Sequence, residues 1–360
     1  RKGIYNVCWE RNQYNILGGF VLLKKRLGRT ELMVSVIGFG GLIIPRISHD
    51  EAIELIKYAL DHGVNIIDTA KSYGDSEEKI GSAIKDRKDC IITTKSLADN
   101  AEALLSDIDL QLRRLNRDKI ELYQIHNIST QAKLENTLKQ NGLLDALKQA
   151  KKDKKIDFIG FSGHNKGILA KAIETNEFDF VEMPINVIDR NVWCDTLSLA
   201  LERDMGVIAM KPLAGGALTD MSPEIISLAL RYAVQQDISS AVVGMKSLSE
   251  VDFNIQEGIT TKPLSETEEK QLFDSANSLS KTFCRQCEYC LPCDQGLDIP
   301  TIFIYYKHYT RFGAHEVSRQ RYASLKVKVN ACIECGKCEE RCPYELPIRE
   351  LLKTAESILA

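Results

Sequence analysis

Cysteine is scarce over most of the chain: residues 1–283 hold only Cys8, Cys90 and Cys194. Long apolar runs are missing as well. The longest mostly apolar stretch, 33–45, contains Ser35 and three glycines and falls short of the roughly 20 residues that span a bilayer, so no membrane segment is expected. Neither sign of charge dominates. Lys and Arg number 47 against 50 Asp and Glu, a formal charge of −3 with the signs interspersed, which leaves no footprint for nucleic acid or an anionic membrane. No signal peptide is legible. The apolar run 16–23 follows several polar residues and leads into Lys24, Lys25 and Arg26 without a small-residue cleavage site. The expectation is a cytoplasmic, reducing compartment, which argues against disulfides. With 44% hydrophobic and 27% charged residues, disorder and collagen-like repeats are excluded and a sizeable core can form. A length of 360 residues admits two domains, or one large barrel with an appendage.

The remaining eight cysteines crowd into the last 77 residues. Cys284, Cys287, Cys290 and Cys293 follow one another at intervals of three. Cys332, Cys335, Cys338 and Cys342 are followed at once by Pro343, which is C-x2-C-x2-C-x3-C-P. Three thiolates at that interval wrap one cuboidal cluster, while the fourth is free to ligate a neighbouring one. The pattern predicts two [4Fe–4S] clusters with crossed ligation: Cys284, Cys287, Cys290 and Cys342 on one, Cys332, Cys335, Cys338 and Cys293 on the other. A pair of tetrahedral zinc sites needs only paired C-x2-C elements and would leave the middle cysteine of each triplet unexplained. Cys8, Cys90 and Cys194 have no partner pattern; Cys90 lies in an apolar run and reads as a small buried hydrophobe.

Before the tail, from Leu27 onward, short β-branched runs at 34–38, 64–69, 90–95, 120–126, 157–162, 178–184, 207–212 and 241–245 alternate with segments of helical period such as 50–62, 101–115, 132–152 and 223–235. Eight alternations predict an α/β fold, a (β/α)8 TIM barrel, followed by a small α-rich, ferredoxin-like domain. An open doubly wound sheet would carry a G-x-G-x-x-G turn, and Gly38, Gly40 and Gly41 do not have that spacing. The expected organisation is an extension over 1–21, aperiodic and possibly non-native, a barrel over 22–263, a connecting helix over 264–281 and a cluster-binding domain over 282–360.

Barrel chemistry sits at the C-terminal ends of strands. Those ends carry Asp68, Lys95 and His126, with Tyr73 on the loop after Asp68: an acid, an amine, an imidazole and a phenol at one mouth. Any one of them has an ordinary explanation as a cap, a solvated strand end or a packed ring; together, on consecutive strands, they read as catalytic. The loops after the seventh and eighth strands, 212–216 and 244–247, bring bare backbone N–H groups at Gly215 and Gly244, the cation Lys246, and Ser247 at a helix start, the makings of a phosphate site. Plain turn geometry would also account for the glycines.

Leu27-Gly28-Arg29-Thr30, Gly38, Gly40 and Gly41, Asp68-Thr69-Ala70, Ser72-Tyr73-Gly74, Ser76-Glu77, Thr94-Lys95 and Ile125-His126-Asn127 resemble the aldo-keto reductase family from about residue 22 to 255. The resemblance implies Tyr73 as the proton donor to a carbonyl oxygen, Lys95 as the ammonium that lowers the phenol, Asp68 as the partner of Lys95, and His126 as the group that orients the carbonyl. It implies NADP(H) or NAD(H), with Ser162, Glu182 and Met210 around the nicotinamide, the two loops at the phosphates and Asn254 at the adenine. Four positions depart from the family pattern: Gly163 stands for Asn, Glu182 for Gln, Met210 for an aromatic, and Glu250 is near a position that carries Arg in NADPH-selective members. The choice of nicotinamide therefore stays open, as does another redox group such as a flavin, for which the sequence shows no motif. The tail, over 284–300 and 332–347, resembles the bacterial two-cluster ferredoxin domain; its first run has two rather than three residues before the last cysteine. The expected function is an iron–sulfur aldo-keto reductase acting on a small carbonyl or alcohol, with the clusters for electron transfer and a redox protein as a possible partner. The competing reading is a non-catalytic electron-transfer or redox-sensing module that uses the barrel as a partner-binding scaffold. The loops carry no composition diagnostic of a substrate, and nothing indicates an oligomeric state.

Overall fold

A computed structural model describes residues 22–190, 193–219, 221–259, 262–280, 284, 290–342 and 345–360. The expected extension over 1–21 lies outside the described residues, as do Cys287 and Pro343. In chain order the elements are β1 (Lys24–Arg26), β2 (Met33–Ser35), β3 (Ile37–Gly40), α1 (His49–Asp61), β4 (Ile66–Asp68), α2 (Ser76–Ala83), β5 (Ile91–Ser96), α3 (Ala101–Arg114), β6 (Ile120–Ile125), α4 (Gln131–Leu138), α5 (Leu143–Lys152), β7 (Ile156–Ser162) and α6 (Lys166–Glu174). They continue with β8 (Phe180–Pro184), α7 (Cys194–Glu202), β9 (Gly206–Met210), α8 (Pro223–Val234), β10 (Ser240–Gly244), α9 (Leu248–Ile259), α10 (Glu266–Ser280), α11 (Ile299–Phe312), α12 (His315–Ala323), α13 (Lys337–Glu340) and α14 (Ile348–Leu359). Among the described residues no helix is long and apolar enough to cross a membrane.

Strands β3 to β10 close into one parallel barrel in sequence order, with β10 pairing both β9 and β3. This is the expected (β/α)8 architecture. The first apolar run divides where one continuous strand was expected. Met33–Ser35 pairs antiparallel with Lys24–Arg26, and the barrel strand begins at Ile37. Ser35 Oγ donates to the Ile37 carbonyl (2.7 Å) and Ser35 N to Asn65 Oδ1 (2.7 Å), so two local hydrogen bonds divert the backbone between the two sheets. The hairpin turn then meets the N-terminal end of β9, where Arg29 N donates to the Asp204 carbonyl (2.6 Å). The barrel floor is closed there, and the opposite, C-terminal face is left for chemistry.

The strands are apolar because both of their faces are covered. Outward residues such as Ile92, Tyr123, Phe161 and Val181 pack with the helix ring. Inside, Ile66, Leu122, Phe180, Ile208 and Val242 stack above Leu27 and Val34 of the hairpin. Gly160 makes room for this filling: a Cβ there would lie 2.4 Å from the Phe180 ring, so the bulk of one strand requires the missing side chain of its neighbour. Helix starts follow their caps. Ser48 and Glu51 form a reciprocal capping box on α1, and Asn100, Thr130 and Ser222 cap α3, α4 and α8.

Helix α10 packs Leu272 and Ala276 with Leu228 and Ala229 of α8. Beyond it a separate core gathers Cys290, Leu297, Ile302, Phe303, Tyr322, Leu346, Leu352 and Leu359, with Cys284, Cys293, Cys332, Cys338 and Cys342 packed at its edge.

Candidate active site and cysteine-lined cavity

Each of the four strand-end residues reaches the barrel mouth for a local reason. Asp68 is the last residue of β4 and Lys95 lies near the end of β5, in register with Gln124 of β6. His126 follows β6, its backbone N–H donating to the Ser96 carbonyl (2.9 Å). Tyr73 sits in the turn before α2 that the left-handed Gly74 (φ 55) completes. The Lys95 ammonium is ion-paired with Asp68, and its Nζ lies 5.4 Å from the centre of the Tyr73 ring. The Tyr73 and His126 rings meet edge to face, 6.1 Å between centres. The structure therefore brings all four sequence-predicted residues together.

It adds a fifth. Glu182, on β8, places Oε2 3.0 Å from Lys95 Nζ and accepts from Gln124 Nε2 at 2.8 Å. Lys95 and Glu182 are 1% and 2% exposed, so one buried ammonium serves two buried carboxylates. The electrostatic consequences have definite signs. Burial raises the Asp68 carboxyl and Glu182 raises it further, with Lys95 opposing. Burial alone would lower Lys95, but Asp68, Glu182 and Tyr73 outweigh it and keep the amine charged. The Tyr73 phenol stands above its ordinary value, chiefly through burial; Lys95 pulls it down while Asp68 and Glu182 push it up. The lowering by Lys95 expected from the sequence is thus present but outweighed. His126 is held down at about 3 by burial and by Lys95, Lys211 and Lys133, so its ring is neutral. Its Nδ1 is buried without a partner among the described residues.

The residues expected around a nicotinamide cofactor lie as follows. Ser162, at the end of β7, is buried and accepts from Asn127 N (3.1 Å). Met210 ends β9 and is buried. In the loop after it, Gly215 and Gly216 are left-handed (φ 62 and 91). Gly244 is exposed at the end of β10. Lys246 is also exposed, and Glu250 takes both its backbone N–H (2.8 Å) and, at 3.9 Å, its ammonium. Ser247 Oγ accepts from Glu250 N (3.2 Å), and Asn254 is buried on α9. His164 lies 3.4 Å from Lys211 Nζ, and Trp193 is buried with no partner for its Nε1 among the described residues. His308 lies in mid-α11, half-buried. Burial, then Lys307, Arg321, Arg46 and Lys211, lower it to about 4.

In the tail a cavity is lined by Cys290, Cys293, Cys332, Cys335 and Cys338, floored by Leu297, Ile299 and Leu352, and rimmed by Lys337, Arg341 and Arg349. Cys293 comes from one cysteine run and Cys332, Cys335 and Cys338 from the other. Soft thiolates in an apolar bowl with cations at the rim suit an anionic iron–sulfur cube.

A closed parallel barrel thus gathers convergent polar groups at its mouth and is joined to a cysteine-lined module. The chain belongs to the aldo/keto reductase family, whose model matches residues 36–224, and it is an oxidoreductase. A 4Fe-4S dicluster domain matches residues 283–347. L-galactose dehydrogenase of Arabidopsis thaliana is 27% identical over 278 residues, 64% of this chain and 86% of that one. A putative aldo-keto reductase of Pseudomonas aeruginosa superposes with a TM-score of 0.58 at 25% identity, covering 66% of this chain and 94% of that one. An aldo-keto reductase of Klebsiella pneumoniae in complex with NADPH shares the fold, with a TM-score of 0.60 at 22% identity over 71% of this chain and 95% of that one.

Proposed function

We propose that the barrel reduces a small carbonyl compound, or oxidises the corresponding alcohol, with Tyr73 as the proton-transferring group, and that the tail holds two [4Fe–4S] clusters with crossed ligation. The observation that carries the reading is the convergence of Asp68, Lys95, Tyr73 and His126 at the mouth of a family-member barrel. NADP(H) or NAD(H) supplies a two-electron hydride when bound, and each cluster passes a single electron. The left-handed glycines after β9, the exposed backbone of Gly244, Ser247 at the start of α9 and the buried Asn254 are where the nicotinamide cofactor would lie.

The chain's own groups then have distinct tasks. His126, neutral, donates a hydrogen bond to the carbonyl oxygen and fixes its direction. Once the carbon has received hydride, that oxygen carries the charge of an alkoxide, a far stronger base than phenolate, so Tyr73 gives up its proton downhill even from a raised resting value. Lys95 stays charged beside the phenolate that forms. Asp68 and Glu182 hold that ammonium in place. In the alcohol-oxidising direction the proton returns to Tyr73, the same path reversed.

In the tail, Cys293, Cys332, Cys335 and Cys338 would hold one cluster; they share one cavity, which Cys290 also lines. Cys284, Cys290 and Cys342 would hold the other together with Cys287, which lies outside the described residues. The domain division proposed is barrel 22–263, connecting helix 264–281 and cluster domain 282–360.

Two measurements test the reading. Protein purified anaerobically should contain close to eight irons and eight sulfides per chain; fewer than four irons would overturn the tail assignment. Tyr73→Phe should lower carbonyl turnover at least a hundredfold with unchanged nicotinamide affinity. Wild-type turnover in that variant would remove Tyr73 from the mechanism.

A further inference from the structure

The turn that carries Tyr73 is closed by the left-handed Gly74 (φ 55) and by two short backbone bonds, Tyr73 N to the Ala70 carbonyl and Ser76 N to the Tyr73 carbonyl, both 3.0 Å. Its first residues are laid against β5. Thr69 N donates to the Thr93 carbonyl (2.9 Å) and Lys71 N to the Lys95 carbonyl (3.1 Å), so the parallel ladder of β4 and β5 runs on past the end of β4. Lys71 is the last residue held in that way, two short of the phenol.

There a side chain takes over from the backbone. The Lys71 ammonium is ion-paired with Asp107 of α3, and the second oxygen of that carboxylate accepts from the Ser96 hydroxyl. Ser96 is the residue after Lys95; its carbonyl accepts from His126 N (2.9 Å) and its Oγ from Ala98 N (2.9 Å). Asp107 is therefore one residue removed from each half of the site: Lys71 leads to Tyr73, and Ser96 to Lys95 and His126. The mechanism given above uses none of these three. Asp107 is 7% exposed and Ser96 1%, while the Lys71 side chain is 41% exposed. A pair between two solvated side chains would be worth little. Here the acid is out of water with both oxygens engaged, and removing Lys71 leaves a buried carboxylate short of its cation.

We infer that Asp107 is a positioning residue, a latch that through Lys71 and Ser96 fixes the Tyr73 hydroxyl relative to the carbonyl oxygen oriented by His126. It acts through its two neighbours and not on the substrate. The need for it is geometric. Proton transfer requires the donor within hydrogen-bond reach of the oxygen, and a misplacement of about 1 Å at a reacting group costs roughly a hundredfold in rate. The inference rests on the reading of Tyr73 and His126 given above. A merely structural pair would change stability and leave the chemistry of the folded molecule as it was.

The test uses the anaerobic holoprotein with 4-nitrobenzaldehyde and NADPH or NADH, read as the maximal single-turnover rate. Asp107→Asn keeps the size of the side chain and an acceptor for Ser96 but loses the charge. It should lower the rate by about tenfold or more, with the half-saturating aldehyde concentration and the nicotinamide Kd within about twofold of wild type. Lys71→Met, at an exposed side chain, should do the same, and Lys71→Arg should return to within about threefold of wild type. In a Tyr73→Phe background Asp107→Asn should cost less than about twofold more, because no proton donor is left to misplace. Unchanged rates in both single variants, a loss that Lys71→Arg does not restore, or the same loss with and without the Tyr73 hydroxyl overturns the inference while the reading of Tyr73 stands. A wild-type rate in Tyr73→Phe removes that reading, and the inference falls with it. If the wild type does not reduce the probe, amide hydrogen exchange over residues 69–77 decides: exchange about tenfold faster in both single variants upholds the latch, and unchanged exchange overturns it.

Discussion

The barrel and the tail handle polar groups in opposite ways. The barrel buries them: Lys95, Asp68 and Glu182 lie together at 1%, 4% and 2% exposure, satisfying one another inside a core that runs through every strand. Among the described residues the tail holds its ion pairs at or near the surface, Lys337 to Asp294 and Lys353 to Glu334 exposed and Arg349 to Glu339 partly buried. What it buries at the edge of its small core is sulfur. A domain of this size supplies little stability from apolar burial alone. The barrel's fold is thus complete in its protein atoms, whereas the tail's is expected to depend on what its thiolates hold.

Removing the iron is the largest expected effect and the most direct way to break that comparison. After oxidation and chelation the tail should lose its helical signal and its cooperative melting, while the barrel transition keeps its midpoint within a few degrees. Calorimetry with circular dichroism on holo and apo protein checks this. A tail that still melts cooperatively without metal would mean that Leu297, Ile302, Phe303 and Leu352 suffice, and the contrast would fail.

Charge removal comes next in size. Lys95→Met leaves two buried carboxylates with no cation and should destabilise the barrel by about 3–5 kcal/mol at neutral pH, read by urea unfolding. Lys337→Met removes an exposed pair and should leave the tail midpoint unmoved. Similar losses in both would show that the barrel's trio contributes no more than a surface pair.

Much of this was legible in the sequence because its signals are local. Alternating apolar runs announced the barrel, since each strand is covered on both faces, and cysteine spacing announced the module. The split of the first run into β2 and β3 was not legible, because it depends on Asn65, some thirty residues away, accepting from Ser35. The pairing of Glu182 with Lys95 was missed because the resemblance directed attention to a nicotinamide role for that position. The signal available was the substitution itself: a carboxylate where an amide is usual, on an inner strand of a barrel that carries a buried lysine on β5, needs a cation. Lys71 against Asp107 could not be read at all, since nothing in local pattern says which helix a loop lysine will meet.

The smallest expected effect concerns acid. His126 is held at about 3 in the folded barrel against about 6.5 in an unfolded chain, so between those values the unfolded state binds a proton that the folded state does not. Stability from this residue is complete above pH 6.5 and is lost as pH falls through 6.5 toward 3. His164, also lowered, acts in the same sense. Asp68, raised by burial and by Glu182, acts in the opposite one: its folded value lies above that of an unfolded Asp, so its contribution falls as pH rises. Comparing wild type with His126→Gln cancels both. Near pH 5 the two barrel transitions should differ in slope by about one proton, or about 1.4 kcal/mol per pH unit. Unfolding free energies of the barrel measured from pH 6.5 to 4 give that slope directly, with the tail transition as the internal reference. Identical slopes would mean that the folded barrel protonates His126 as readily as water does, and the buried, neutral imidazole on which carbonyl orientation depends would have to be given up.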